Sequence, residues 1–410
     1  MKLHKEIWSN FMRRSSALRK IFSSIFSITL IIVIFGLGVS IFISGKKHTP
    51  AHNVVLGVNG IGGSSTTLVR TDDAVSLSYE VVESENGNII LSDFDDVYPY
   101  SEITRYIDKN DNVFVYIPKF YSKFTQNNDG TVKLQISKKK LNGFTTLFID
   151  GSGKEIDYIL YGAYESSGDV NQLYSKPGVR PATSLTIDET REASRANGTN
   201  YQQLDYTSTL IINQLFMVEF ATVNSQTIFV GYTNASVVSE TGLTDVINHS
   251  SGYTENGSFK YRGIENIYGN VWKYVDGIFF DIADIYISTD PYNYTNPFTS
   301  DNVVGYSLVS TKRSLSEGSY KSLMIFEEDA SFVYPSYNGI TSFGDYTVES
   351  KTNRETGITT YGQIMVYGGT CGFTTRSGIW CMFSEIQHNY TNIYYGSRLV
   401  YKPIGIFSRA

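Results

Sequence analysis

The sequence has few of the residues that build metal and redox sites. It contains two cysteines, Cys371 and Cys381, and five histidines among 410 residues. The cysteine spacing matches no zinc signature, and no histidine shares a metal-ligand spacing with a carboxylate or a cysteine. A P-loop, a dinucleotide-binding glycine fingerprint and a nucleophile elbow are also missing from the sequence. The sequence therefore predicts no metal site, no cofactor and no enzyme of a common catalytic type.

Basic charge is scarce outside the N-terminus. The formal net charge is −6, and residues 1–45 contribute +5 to it through six basic residues and one acidic residue, which leaves −11 on the rest. Nucleic-acid-binding proteins carry a basic footprint for the phosphate backbone. The acidic body excludes nucleic acid as an expected partner.

One long uncharged segment, Ile21 to Gly45, follows the basic N-terminus. As a helix its 25 residues would span roughly 37 Å, longer than the roughly 30 Å hydrocarbon core of a bilayer. The excess of basic residues before it predicts that the N-terminus stays in the cytoplasm. We expect a single-pass signal anchor, with a cleaved signal peptide as the alternative. In both cases the residues from about 46 onward are exported.

The exported part combines strand patterns with two helices. Val113 to Phe120 is rich in β-branched and aromatic residues, and Asn128-Asp129-Gly130 predicts a hairpin turn before Val132 to Ile136. Ser184-Leu185-Thr186 offers an N-cap for a helix from Ile187 to Asn197, and Asp205 offers one for a helix from Tyr206 to about Thr222. The second helix is apolar on more than one face, which is typical of a buried helix. Strands, two helices and further strands predict an α+β fold.

Five segments in this order carry a resemblance to one family. They are TDDAV at 71–75, VYIPKFY at 115–121, YQQLD at 201–205, YRGIENIYGNVWKYVDG at 261–277, and GGT at 368–370 followed by YGSRL at 395–399. Together they resemble the C-type-lectin-like fold in its formylglycine-generating-enzyme subtype, as found in phage tail receptor-binding proteins and in variable proteins of diversity-generating retroelements. The resemblance covers roughly residues 54–405.

The anchor pattern and this resemblance together predict a domain organisation and several structural residues. We expect a cytoplasmic basic segment (1–20), the anchor (21–45), a linker (46–53), an N-terminal β-rich portion (54–110) and a C-type-lectin-like domain (111–405). Within the last, Gly269, Asn270, Trp272 and Arg398 are predicted to be structural, with Trp272 as a buried anchor of the fold. Carboxylates such as Glu265 and Asp276 are expected to accept backbone N–H bonds, with a bound metal ion as the less favoured alternative.

The C-terminal stretch is the predicted recognition surface, because the family holds its exposed ligand-binding surface there. Aromatic anchors stand here among small polar residues, a composition that binding surfaces use. Within the strand pattern at 378–384, we expect Trp380, Met382 and Ser384 to face outward; the alternative is that they lie in a core strand pair. The predicted ligand-binding residues are Phe373, Thr374, Arg376, Trp380, Met382, Ser384, His388, Tyr390, Asn392 and Tyr394.

The two cysteines decide the main alternative to a binding role. Formylglycine-generating enzymes use two cysteines a few residues apart after a GG[ST] motif, whereas Cys371 and Cys381 are ten positions apart. Exported cysteines are often joined in a disulfide, so a Cys371–Cys381 disulfide and two free buried thiols both remain open.

These observations predict a membrane-anchored cell-surface protein, receptor-like or adhesin-like, with an extracellular C-terminal domain. Its ligand would be a protein or a glycan on a cell or phage surface, and its recognition segment could be diversified by a retroelement. An exported oxidase and a phage tail-tip host-recognition protein are the alternatives. Copper bound to the purified protein would favour the oxidase.

Overall fold

The computed structural model describes residues 53–281, 284–290, 294, 305–310, 319–320, 323–326, 333–336, 346–348 and 363–403. Within these ranges the chain is mostly sheet, with two α-helices. The predicted anchor at 21–45 lies outside the described residues. Neither described α-helix has the length and the apolar character of a membrane span.

In the described part of the chain, eleven strands come before the first described α-helix. They are β1 (Val55–Ile61), β2 (Val69–Asp72), β3 (Tyr79–Ser84), β4 (Gly87–Ser92), β5 (Thr104–Ile107), β6 (Val113–Pro118), β7 (Tyr121–Gln126), β8 (Val132–Ser137), β9 (Tyr158–Gly162), β10 (Ser167–Gly168) and β11 (Leu173–Tyr174). The predicted hairpin is confirmed, since β7 pairs with β8 in antiparallel register around the 128–130 turn.

The two helices enclose one short strand, in the order α1 (Ile187–Arg195), β12 (Tyr201–Gln203) and α2 (Tyr206–Phe220). Thr186 begins α1 with a capping box, in which its hydroxyl accepts from the Glu189 N–H at 3.2 Å and its own N–H donates to the Glu189 carboxylate at 2.8 Å. The Asp205 carboxylate accepts from the Ser208 N–H at 2.8 Å at the start of α2. Both predicted helices and both predicted caps are confirmed. All residues of α2 are buried, as its sequence predicted.

The chain after α2 contains no further α-helix in the described ranges. Its strands are β13 (Gly252–Tyr253), β14 (Phe259–Tyr261), β15 (Ile264–Glu265), β16 (Trp272–Asp281), β17 (Asp284–Ile287), β18 (Ser307–Ser310), β19 (Ser319–Tyr320), β20 (Leu323–Phe326), β21 (Val333–Ser336), β22 (Tyr346–Val348), β23 (Gln363–Tyr367), β24 (Met382–Ile386), β25 (Tyr395–Gly396) and β26 (Leu399–Tyr401).

Sheet pairing joins distant parts of the chain. The largest sheet has the order β18-β17-β16-β23-β24-β22-β19, with β25 parallel to β16, and a five-stranded sheet has the order β12-β26-β9-β6-β5. Strands from 54–110 and from 111–405 share sheets, because β1 pairs with β8, β4 with β13 and β5 with β6. The predicted division at residue 110 therefore has no counterpart in strand pairing.

Three hydrophobic clusters hold these sheets together. The largest contains α2 and the inner faces of several sheets, and it includes Phe216, Val275 and Tyr367. A second cluster surrounds Trp272 and Tyr274 on the other face of β16, and a third lies around Phe114 and Leu399. Strand β16 thus contributes side chains to two clusters, one on each of its faces, as alternation along a strand requires.

Candidate binding surface

Strand β24 lies in the middle of the largest sheet and fixes the orientation of the predicted recognition segment. Trp380, Met382 and Ser384 are only 1%, 0% and 0% exposed. Met382 lies opposite Tyr367 in the main core, whereas Phe383 lies opposite Val366 on the other face. The expectation that Trp380, Met382 and Ser384 face outward is wrong. Pairing with β23 turns Met382 toward the main core and Phe383 toward the other face, and the three residues before the strand, 379–381, are all buried.

The outward face of this sheet carries four half-buried aromatic residues, Phe373, Phe383, Tyr390 and Tyr394, which we call the aromatic face. All four pack against the cluster around Trp272 and Tyr274. The Trp272 ring lies 5.1 Å from the Phe373 ring and 5.9 Å from the Phe383 ring, between centroids. The aromatic face is therefore supported by buried rings on a central strand, not by loops alone.

One edge of the aromatic face is the loop that contains Phe373 to Arg376. Thr374 and Arg376 are exposed, and the Arg376 guanidinium lies 4.1 Å from the centroid of the Phe373 ring. The loop backbone is held from below: the Thr374 N–H donates to the Thr233 carbonyl at 2.8 Å, and the Gln226 side-chain amide donates to the Thr374 carbonyl at 2.7 Å. Its exposed side chains thus stand on a fixed backbone.

The opposite edge is the loop from His388 to Tyr394. The Asn392 carboxamide oxygen accepts from the Tyr394 N–H at 2.9 Å, and its amide group donates to the Tyr390 hydroxyl at 3.3 Å. The Tyr274 hydroxyl donates to the Tyr390 carbonyl at 2.9 Å, and burial, followed by the neighbouring Tyr395, raises the pKa of Tyr274. Ile393 is 61% exposed at this edge. The sequence prediction missed Ile393, although its apolar side chain in a run of polar residues was a usable signal.

A chain of charged residues connects His388 to the buried interior. The His388 Nδ1 lies 3.0 Å from an Asp188 carboxylate oxygen, and Asp188 also accepts from Arg191 at 2.6 Å. Two nitrogen atoms of Arg191 in turn donate hydrogen bonds to the Asp276 carboxylate, at 2.7 and 3.1 Å. Burial lowers the pKa of Arg191, but Asp276 and Asp188 outweigh this effect and raise it, so the guanidinium stays charged. Arg191 is thus paired with Asp188 on α1 and with Asp276 on β16, which ties the two elements together.

The residues predicted to be structural all lie inside the fold. Trp272 is 4% exposed and Arg398 is fully buried, where it donates to the carbonyls of Gly162, Glu265 and Asn266 at 2.7–2.9 Å. Asn270 has a positive φ of 57°. Its amide group donates to Glu165 and its carboxamide oxygen accepts from the Ser239 N–H.

Gly269 has a φ of +79°, and a Cβ at this position would meet the Tyr232 carbonyl at 2.9 Å. Both the positive φ and the close Tyr232 carbonyl therefore require glycine at this position.

The two carboxylates considered for a metal ion have other partners. Glu265 accepts the N–H groups of Gly242 and Thr244 at 2.8 Å each, as expected for a carboxylate in such a turn. Asp276 binds Arg191 and the Gln203 amide. No group of three or more potential metal-binding residues occurs among the described residues.

Both cysteines are buried, and no disulfide joins them in the structure. Of the two open alternatives, the structure thus has two buried thiols. Burial raises the pKa of the Cys371 thiol, which disfavours the reactive thiolate. Cys381 lies in the cluster beneath the aromatic face.

Comparison with known proteins gives structural neighbours only. No protein-family profile and no curated protein matches the sequence. Among solved structures, the chain is similar to the U1, M1 and P3c variants of Major Tropism Determinant, each with a TM-score of 0.28, 10% identity and coverage of 86% of this chain and 73% of the other. Similarity at this level carries no argument about function.

Proposed function

We propose that this chain is a membrane-anchored, cell-surface ligand-binding protein that acts by binding and not by catalysis, and that the aromatic face is its recognition surface. The observation that carries the proposal is the placement of Phe373, Phe383, Tyr390 and Tyr394. All four are half-buried against one cluster of buried rings, and the loops that carry three of them also carry exposed side chains.

The rings and loops of this surface are ordered before a ligand binds, which favours binding. A ligand-binding residue contributes more when it is ordered before binding, because less conformational freedom is lost on association. The half-buried rings are already packed on one side, and the loops beside them are hydrogen-bonded to the fold. Tyr and Arg also dominate the energy of many binding sites, and Tyr390, Tyr394 and Arg376 supply both types here.

The proposal includes the C-type-lectin-like scaffold that the five sequence segments indicate, and a recognition segment that a retroelement could diversify. Gly269, Asn270 and Arg398, which belong to those segments, lie in the fold where a scaffold residue should lie. The neighbouring DNA tests the second part: a near-copy of the codons for about 369–398 beside a reverse transcriptase gene would support it, and an isolated gene would count against it.

The test of the recognition surface uses the full-length chain in lipid nanodiscs, with a panel of immobilised glycans and whole microbial cells as probes. The variant Arg376→Ala, Tyr390→Ser, Ile393→Ser changes three residues of the proposed surface. A matched control, Arg180→Ala, Tyr174→Ser, Val237→Ser, changes an exposed arginine, a half-buried tyrosine and an aliphatic residue of similar exposure (59% against 61%) elsewhere.

We expect the control to bind as the parent does and the surface variant to lose at least tenfold in affinity, or about 1.4 kcal/mol, since it truncates a tyrosine and an arginine, the residue types that dominate many interfaces. Both variants should retain the parent's unfolding midpoint to within a few degrees. Equal loss in both variants, or full binding by a folded surface variant, would place recognition elsewhere.

A further inference from the structure

A second aromatic surface lies on the five-stranded sheet β12-β26-β9-β6-β5. Strand register places one residue from each strand in a row across this sheet: Thr104 opposite Tyr116, Tyr116 opposite Leu160, Leu160 opposite Tyr401, and Tyr401 opposite Tyr201. These side chains therefore share one face. Tyr106 and Tyr158 are two positions along their strands from this row, so they stand on the same face.

The other face of the same sheet is core. Val115, Ile117, Ile159, Tyr161 and Val400 alternate with the row and belong to the main hydrophobic cluster. The tyrosine-bearing face is only partly covered, because Phe114, Leu160 and Leu399 pack beneath Ala193 of α1, whereas Tyr116, Tyr158 and Tyr401 remain half-buried. Tyr106 is 49% exposed.

A cavity of about 580 Å³ opens on this face, and we call it the tyrosine groove. This volume lies within the range of roughly 300–1,000 Å³ that is typical of small-molecule sites. Its lining residues are Tyr106, Asp108, Lys109, Tyr116, Tyr158, Leu160, Thr199, Tyr201 and Tyr401. None of them belongs to the aromatic face.

The rings of the groove are held in place before any ligand arrives. The Tyr116 and Tyr158 rings lie 5.1 Å apart at 32°, and the Tyr201 and Tyr401 rings lie 5.1 Å apart at 72°. The Tyr201 hydroxyl donates to Asp108 at 2.8 Å, and the Asn200 amide donates to the Tyr401 hydroxyl at 3.3 Å. Fixed rings lose little freedom on binding.

The Asp108 carboxylate binds other groups of the protein and holds Tyr201 in position. Its two carboxylate oxygens accept from the Asn110 N–H, the Asn112 N–H, the Asn112 amide and the Tyr201 hydroxyl, at 2.8–3.1 Å. A ligand in the groove would therefore meet the faces and hydroxyl groups of the tyrosines and the side chains of Lys109 and Thr199. Asp108 and Lys109 carry opposite charges, so the lining has no formal excess of charge to select an anion or a cation.

We propose that the tyrosine groove is a second ligand site and that it binds a short glycan of β-linked pyranose units. An equatorially substituted pyranose has a flat face of C–H groups and a rim of hydroxyl groups. Tyrosine ring faces carry negative charge density that attracts C–H groups, and C–H contacts of this kind stabilise recurring geometries. Tyrosine hydroxyl groups, Thr199 and Lys109 supply hydrogen-bond partners for the sugar hydroxyl groups at the rim.

The test uses the full-length chain in nanodiscs and three soluble probes, cellotriose, triacetylchitotriose and lactose, titrated by isothermal calorimetry and by ligand-observed NMR. Tyr106→Ala and Tyr401→Ala each remove one stacking ring, and each should weaken binding by roughly tenfold, which corresponds to about 1.4 kcal/mol. Tyr106→Phe keeps the ring and should retain most of the affinity. Val81→Ala, with 47% exposure against 49% for Tyr106, is the matched surface control and should bind as the parent does.

The two sites are separable in the same assay. Ile393→Ser changes the aromatic face and should leave binding of the three sugars unchanged, so failure of one proposal does not imply failure of the other. The groove proposal is overturned if none of the three sugars binds at millimolar concentration. It is also overturned if folded Tyr106→Ala and Tyr401→Ala proteins bind as the parent does, or if a peptide library binds the groove and the sugars do not.

Discussion

Replacing Asp276 tests the buried ion pair between β16 and α1. Asp276 is 2% exposed and Arg191 is 4% exposed. The carboxylate accepts from Arg191 Nη2 at 2.7 Å and from Arg191 Nε at 3.1 Å, and it also accepts from the Gln203 amide at 2.8 Å. In Asp276→Ala, Arg191 would lose its buried carboxylate partner and keep Asp188, whose side chain is 46% exposed, and the Gln203 amide would lose one of its acceptors.

The expected loss is large because the charge of Arg191 stays buried after its buried carboxylate partner has been removed. Removing one partner of a buried pair typically costs about 3–5 kcal/mol, whereas replacing both partners by apolar residues is often neutral. We therefore expect Asp276→Ala to lower the free energy of unfolding by about 3–5 kcal/mol. The double variant Arg191→Met, Asp276→Leu should recover at least about 2 kcal/mol of that loss.

The assay is urea unfolding of the full-length chain in detergent, followed by tryptophan fluorescence, in a double-mutant cycle with the single variants. Glu192→Ala is the control, because it breaks the exposed pair of Glu192 and Arg195 on the same helix. That change should cost less than about 0.5 kcal/mol. A loss below about 1 kcal/mol in Asp276→Ala, or a double variant as unstable as the sum of its singles, would refute the reasoning.

Three further predictions concern the core, a buried lysine and the anchor. Trp272→Ala should lower stability by roughly 3–5 kcal/mol in thermal unfolding; a variant that folds as the parent does but no longer binds would identify Trp272 as a site residue. Burial lowers the pKa of Lys273 to about 8 from its usual 10.5. Between these values the unfolded chain holds a proton that the folded protein has released, so stability should rise with pH by up to about 1.4 kcal/mol per unit. In Lys273→Met, the free energy of unfolding should no longer rise between pH 8 and 9.5. A variant with the same pH slope as the parent would contradict this prediction. External protease on intact cells should remove the body of the protein while residues 1–20 stay protected, whereas a mature N-terminus near residues 45–50 in the medium would show a cleaved signal peptide.

Local signals in the sequence predicted the two helices and the hairpin of β7 and β8. Thr186 and Asp205 cap their helices through bonds to residues three positions away, so the pattern that predicts them is contained in a few residues. The hairpin of β7 and β8 likewise depends on the turn between its own strands. Such features need no information from the rest of the chain.

The orientation of β24 could not be predicted in the same way. Alternation along 379–384 shows that two faces differ, but apolar residues occur on both. Which face meets the core depends on β23, since Met382 lies opposite Tyr367 and Phe383 lies opposite Val366. The pairing of Arg191 with Asp276 is a comparable case, because the two residues are 85 positions apart and their contact arises from the fold alone.

The tyrosine groove could not be predicted from the sequence either. Its five tyrosines come from five strands, and their abundance in the sequence is equally typical of ordinary strands. Only the register across β12, β26, β9, β6 and β5 brings them to one face.

The corrected orientation of β24 changes where variation in the recognition segment should be tolerated. Trp380, Met382 and Ser384 are enclosed by the core, so replacing them would alter packing and cost stability whatever the ligand. Thr374, Arg376 and Ile393 are exposed on loops whose backbones are anchored separately, so replacing them changes the surface and leaves the scaffold intact. If the segment is diversified, substitutions in sister copies of the gene should concentrate at these exposed positions and at the rims of the half-buried rings. Substitutions concentrated at 380, 382 and 384 instead would contradict both the observed strand register and the proposed recognition surface.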